Sequence, residues 1–98
     1  MLIAKVVGEV VASHKAEGIT GHKLLLVQPL DPRGEAKGNA LVASDAVGAG
    51  PGEWVIVCQG SSARMTPMSE GKPVDAVIIG ILDSVFHEGA ELYSKSNS

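Results

Sequence analysis

An all-β fold, a small closed barrel of about five strands, is predicted by three features of this chain. Short runs rich in Val, Ile and Leu follow one another, glycine and proline turn signals separate them at close spacing, and no segment carries the periodicity of a long amphipathic helix. The OB type is one such barrel. With 98 residues the chain suits a single small domain.

The run over residues 53–59 anchors this reading. It contains no breaker, and Trp54, Val55, Ile56 and Val57 favour a pleated, well-packed strand. Alternation sends Trp54, Ile56 and Cys58 to one face and Val55 and Val57 to the other, and both faces are apolar. One face can fill a barrel; the other needs separate cover.

Taken in order, residues 2–13 form a first strand. Its even positions (Leu2, Ala4, Val6, Gly8, Val10, Ala12) are small and apolar, while Lys5 and Glu9 interrupt the odd ones. Gly8 marks a bend or bulge of the kind that barrel closure uses. Residues 13–22 are a loop, and residues 23–30 a second strand ended by Pro29 and the Asp31-Pro32 pair. Residues 31–39 read as a mobile, solvated connection to a short third strand over residues 40–44. Gly48, Gly50 and Gly52 around Pro51 then make a tight reversal into the 53–59 strand. One helical turn is expected over residues 60–65 with Ser61 or Ser62 as N-cap, followed by an exposed loop over residues 66–73. The last strand, residues 74–86, sets Val77, Ile79 and Ile81 against Ala76, Ile78 and Leu82. A barrel domain over residues 1–86 is thus followed by a polar tail, 87–98, loosely held or docked on a neighbour.

Composition narrows the function. Hydrophobic residues make up 45% of the chain and aromatics only 3%, so the core is aliphatic. The formal net charge is −3 and the basic residues are scattered, which argues against a phosphate-backbone footprint. The single cysteine, Cys58, has no internal disulfide partner, as suits a reducing cytoplasm. The N-terminal run is broken by Lys5 and Glu9, and no stretch approaches the roughly 20 apolar residues of a spanning helix. A soluble, cytoplasmic protein without membrane contact is expected. With no amphipathic helix to cover the outer faces of two strands, association with further copies of the chain is the simplest cover.

Chemical motifs are sparse. The glycine run at 48–52 opens a strand rather than a helix and no P-loop lysine follows, so it reads as a structural turn, not a phosphate cradle. Cys58 lies among apolar neighbours with no basic partner and reads as an inert thiol. His14, His22 and His87 lack metal-ligand spacing, and no carboxylate pair or nucleophile–base arrangement is visible. No catalytic residue, metal or cofactor is therefore assigned. The alternative from another class is an OB-like module for single-stranded nucleic acid or a small ligand. Nucleic-acid binding calls for exposed aromatics in a basic groove, which this acidic chain with Trp54, Phe86 and Tyr93 does not offer.

Several segments, in register, resemble the EutN/CcmL family of bacterial microcompartment vertex proteins. They are Leu2-Ile3-Ala4-Lys5-Val6-Val7-Gly8 with Val10-Val11-Ala12-Ser13, and Lys23-Leu24-Leu25-Leu26-Val27-Gln28-Pro29-Leu30-Asp31. Ser44-Asp45-Ala46-Val47-Gly48-Ala49-Gly50, Gly52-Glu53-Trp54-Val55 and Gly60-Ser61-Ser62-Ala63-Arg64 follow. Pro73-Val74-Asp75-Ala76 and Ile79-Gly80-Ile81-Leu82-Asp83 complete the set. The resemblance implies a five-stranded OB-like barrel that assembles as a homopentamer and caps the corners of a polyhedral shell, beside hexameric shell proteins. Subunit contacts are then expected at Asp45, Val47, Gly48, Ala49, Gly50 and Glu53. Val55, Val57, Ser61, Ser62, Arg64 and Asp83 join them, with Arg64 pairing Asp45, Glu53 or Asp83 of a neighbour.

Overall fold

The structure is a computed structural model that describes residues 1–11, 23–60 and 76–95. Alternating side chains build its first strand: in β1 (Leu2–Val10), Ala4 and Val6 point inward while Lys5 and Val7 stay exposed. Next come β2 (Lys23–Pro29), β3 (Leu41–Asp45), β4 (Trp54–Gln59) and β5 (Ala76–Ile81). They close into a barrel in the order β1-β2-β3-β5-β4, with β4 paired back to β1. Every pairing is antiparallel except β3 with β5. This is the expected OB-like barrel, in which closure pairs each of the five strands on both sides.

Two register shifts bend the sheet enough to close it. One lies between Val6 and Gly8 where β1 meets β2, at the glycine that marked a bulge in the sequence; the other lies between Ile56 and Val57 on β4. The interior is filled by Ala4, Val6, Leu25, Val27, Ala43, Val55, Val57 and Ile78. Fully burying one valine or isoleucine contributes about 1.5–3 kcal/mol. Val55 and Val57 are both 0% exposed within the single chain, which corrects their expected place at a subunit contact. They occupy the inward face of β4 and are engaged by the chain's own core.

The run over 74–86 is not one strand. Leu82 N–H donates to the Trp54 carbonyl (2.9 Å), after which the chain leaves the barrel. It continues as β6 (Ser84–His87), which pairs with β7 (Ala90–Ser94) in a separate two-stranded hairpin. Glu88 and Gly89 make the turn, both at positive φ (52° and 80°), the geometry that matches the twist of a two-residue hairpin. The hairpin straddles the boundary drawn after residue 86, and residues 90–94, expected in a tail loosely held or docked on a neighbour, are paired within the chain. The 31–39 connection is likewise pinned rather than loose. Asp31 Oδ1 accepts the N–H groups of Arg33 (2.8 Å) and Glu35 (3.0 Å), and Leu30 bridges to Ala36. Apart from Gly60, the expected helical turn and the 66–73 loop lie outside the described residues.

Candidate subunit interface

The turn after β3 is organised by one carboxylate. Asp45 is 6% exposed; its Oδ1 accepts N–H from Val47 and Gly48 (both 3.0 Å), and its Oδ2 accepts N–H from Ala49 (2.8 Å). Three converging backbone donors on the two carboxyl oxygens fix the turn's path. Gly52 N–H then donates to the Val6 carbonyl (3.0 Å), tying the turn to β1. At Gly52 φ is 78° and no atom lies within 4 Å of where a Cβ would stand, so backbone conformation, not crowding, calls for glycine there. Val47 and Gly48 face outward, whereas Ala49 is buried in the barrel core.

Glu53 joins this turn to the C-terminal hairpin. It accepts the Gly50 N–H through Oε1 and pairs through Oε2 with Lys95 Nζ at 2.9 Å. Lys95 N–H also donates to the Asp83 carbonyl (2.9 Å), across the base of the hairpin. The Lys95 ammonium first, and then the Gly50 N–H, hold the Glu53 carboxyl below its usual 4.5, while Glu53 raises Lys95. Asp31 is lowered too, chiefly by the Glu35 N–H. Carboxyls depressed in the folded state stabilise it fully above their unfolded values, and that contribution disappears as pH falls through the folded ones. The melting temperature is therefore expected to fall as pH drops below about 4.5, and Glu53→Gln to reduce that fall while lowering the value at neutral pH. Thermal melts across the pH range check this; an unchanged acid profile in Glu53→Gln would remove Glu53 from the account.

The hairpin also covers the outer side of β4. Tyr93 stacks on Trp54 with ring centroids 4.5 Å apart and planes 11° from parallel, and the Trp54 backbone N–H faces the Tyr93 hydroxyl at 3.5 Å. Cys58, on the same outer face, is buried beside Val77, with Ala46 and Ile79 against them. Between Trp54 and Cys58, Ile56 pairs with Ile3 of β1 and with Gly80 of β5, forming a half-buried row across the outside of the barrel.

Of the expected contact residues, the structure thus gathers Asp45, Val47, Gly48, Ala49, Gly50 and Glu53 into one turn and links Asp83 to Glu53 through Lys95. Ser61, Ser62 and Arg64 lie outside the described residues, as do His14 and His22. Asp45 and Glu53 both hold partners within the chain. Sequence reasoning missed Tyr93, Lys95 and the row through Ile3 and Ile56. The row had a signal in the apolar residues on the outward side of two strands, whereas the partnership of Tyr93 with Trp54 had none.

A closed OB-like barrel, with an aliphatic interior and apolar residues left on its outside, defines a small module equipped to associate. Residues 1–83 match the family described as "Ethanolamine utilisation protein EutN/carboxysome", and the chain belongs to this EutN/CcmL family. It is 43% identical over 95 residues to the bacterial microcompartment shell vertex protein EutN of Escherichia coli K12, covering 97% of this chain and 100% of that one. Its fold is similar to the solved structure of Gloeobacter violaceus CcmL (TM-score 0.91, 47% identity, 98% and 99% of the two chains). It is also similar to GrpN, a pentameric microcompartment shell protein from Rhodospirillum rubrum (TM-score 0.81, 42% identity, 89% and 99%).

Proposed function

We propose that this chain is a structural vertex protein of a bacterial microcompartment shell, working as a homopentamer that caps the corners of a polyhedron. The observation that carries this reading is the near full-length match to shell vertex proteins, one structural relative being pentameric. The geometry of shells supports it. Six-fold tiles alone form a flat sheet, and five-fold units at the corners supply the curvature that closes it. The partners are then four further copies of the chain and the edges of hexameric shell proteins. The role requires neither catalysis nor a cofactor. Nucleic acid is disfavoured by the net charge of −3 and by the covering of Trp54, the best stacking ring in the chain, by Tyr93.

In such a ring each subunit presents two different surfaces, one to each neighbour. The outward side of the 45–50 turn, with Val47 41% exposed, belongs to one of these contacts together with Ser61, Ser62 and Arg64. Native mass spectrometry at micromolar protomer is expected to give a five-subunit peak. A stable dimer or hexamer contradicts the reading, and a monomer that binds single-stranded oligonucleotides supports its OB-module rival. Arg64→Ala is expected to promote dissociation on dilution in sizing experiments; a ring that survives dilution unchanged rules Arg64 out as an anchor.

A further inference from the structure

The β6–β7 hairpin is built differently from the barrel it leans on. Each barrel strand pairs on both sides, whereas β6 and β7 pair only with each other. Of residues 84–94 only Tyr93 is buried, and none belongs to the core cluster of the barrel. β4 bonds to β1 along one edge and to β5 along the other, so its ladder has no place for a third strand. Among the described residues, the last backbone bond to the barrel is that of the Leu82 N–H to the Trp54 carbonyl; Lys95 N–H closes the hairpin's own base on the Asp83 carbonyl. Beyond Leu82 the hairpin is held by side chains, through the Trp54–Tyr93 stack and the Glu53–Lys95 pair. We propose that the hairpin is a hinged flap that opens as one unit about Leu82 and Asp83 while the barrel stays closed, with Glu53 passing its movement to the 45–50 turn. The inference goes beyond the vertex reading and does not depend on it.

A two-stranded hairpin alone is marginal in water, so this one takes its stability from where it docks. Segments with few buried apolar contacts are the first to open in a folded protein, and the hairpin contributes a single buried side chain. Its two holding contacts reach adjacent residues, Glu53 and Trp54, from Tyr93 and Lys95 near the hairpin's base, so they release together. Between hairpin and barrel lies a cleft of about 350 Å³. Leu2, Ile3 and Pro32 stand on its barrel wall, and Val85, Phe86 and Leu92 on its hairpin wall. One wall is fixed by the barrel and the pinned 31–39 connection, and the other moves with the flap, so the latch sets the width of the cleft. Glu53 extends the effect further. Its Oε1 accepts the Gly50 N–H while its Oε2 holds Lys95 Nζ, so withdrawal of Lys95 frees the carboxylate to turn toward water and weakens the bond to Gly50.

Hydrogen exchange of the full chain, read amide by amide over a series of low denaturant concentrations at fixed protomer concentration, tests this. The ladder amides of β6 and β7 are expected to exchange through an opening of lower free energy and shallower denaturant dependence than those of β1–β5, and the Gly50 amide to exchange with the hairpin group. Lys95→Met is expected to speed that group about two- to fivefold, the fold-change equivalent to a part-exposed ion pair. Tyr93→Ala is expected to speed it at least about tenfold. Hairpin amides that share the free energy and denaturant slope of the barrel strands overturn the flap, because hairpin and barrel then open as one. Unchanged hairpin exchange in Lys95→Met, or a Gly50 amide that exchanges with the barrel strands, overturns Glu53 as the link. The measurement reads the chain in whatever assembly it forms, so either failure leaves the vertex role standing.

Discussion

Asp45→Ala is expected to lower folding stability by about 2–3 kcal/mol, through loss of charge-assisted hydrogen bonds and an orphaned buried donor. The Asp45 carboxylate accepts three backbone N–H groups, and they do not suffer equally when it is removed. Val47 and Gly48 are exposed, so their N–H groups can turn to water. Ala49 is 1% exposed and packs in the barrel core, so its N–H is left without a partner. Relief from burying the carboxylate offsets part of the loss. For a domain of this size, that change lowers the melting temperature by about 10 °C or more at fixed protomer concentration. Asp45→Asn retains an acceptor for Val47 and Gly48 but meets the Ala49 N–H with an amide donor or a rotated side chain, and is expected to fall between parent and Asp45→Ala. Chemical denaturation of the three proteins decides it: an Asp45→Ala variant within about 0.5 kcal/mol of the parent shows that the turn holds itself.

The barrel was legible because its signals are local. Alternation in β1 and β4 separates Ala4, Val6, Val55 and Val57 from their outward neighbours, and Gly8 stands where β1 shifts register. Yet alternation names two faces without saying which is inside. Val55 and Val57 were expected at a subunit contact and instead fill the interior, leaving Ile56 on the outside. The hairpin was illegible for other reasons. Apolar residues stand on both sides of the exit, Ile81 and Leu82 before it and Val85 and Phe86 after it, and the Asp83-Ser84 pair between them is too short a break to divide the run into two strands by pattern. Glu88-Gly89 is also a weaker turn signal than Asn-Gly or Asp-Gly, because glutamate rarely adopts the positive φ it has here. The clamp between Trp54 and Tyr93 joins residues 39 apart, a separation at which sequence pattern is silent. Thus the two faces of each strand could be read from the chain, whereas which face turns inward, and what covers the other, depends on contacts that only the folded chain creates.

Gly34→Ala is expected to cost about 2–4 kcal/mol, from backbone strain and from crowding at Trp54. Gly34 has φ 86°, in the region where a Cβ is penalised, and its added Cβ would lie 2.7 Å from Trp54 Cη2, at the far edge of the indole. A ring end can often swing aside, but this one is stacked on Tyr93 and cannot yield without disturbing the hairpin. Tyr93→Ala, at a site 7% exposed, is expected to cost about 3 kcal/mol by itself, the range for truncating a buried aromatic. The two changes share one neighbour, so they should not add. With Tyr93 truncated the indole gains room to move, and Gly34→Ala should then cost less by at least about 0.5 kcal/mol, whereas its φ strain persists in either background. A double-mutant cycle measured by denaturant unfolding separates the contributions. Strict additivity would place the whole penalty in the Gly34 backbone and leave Trp54 free of the 31–38 loop. Coupling would show that loop, barrel strand and hairpin are braced against one indole, so that loosening the loop also loosens the hairpin that carries Phe86.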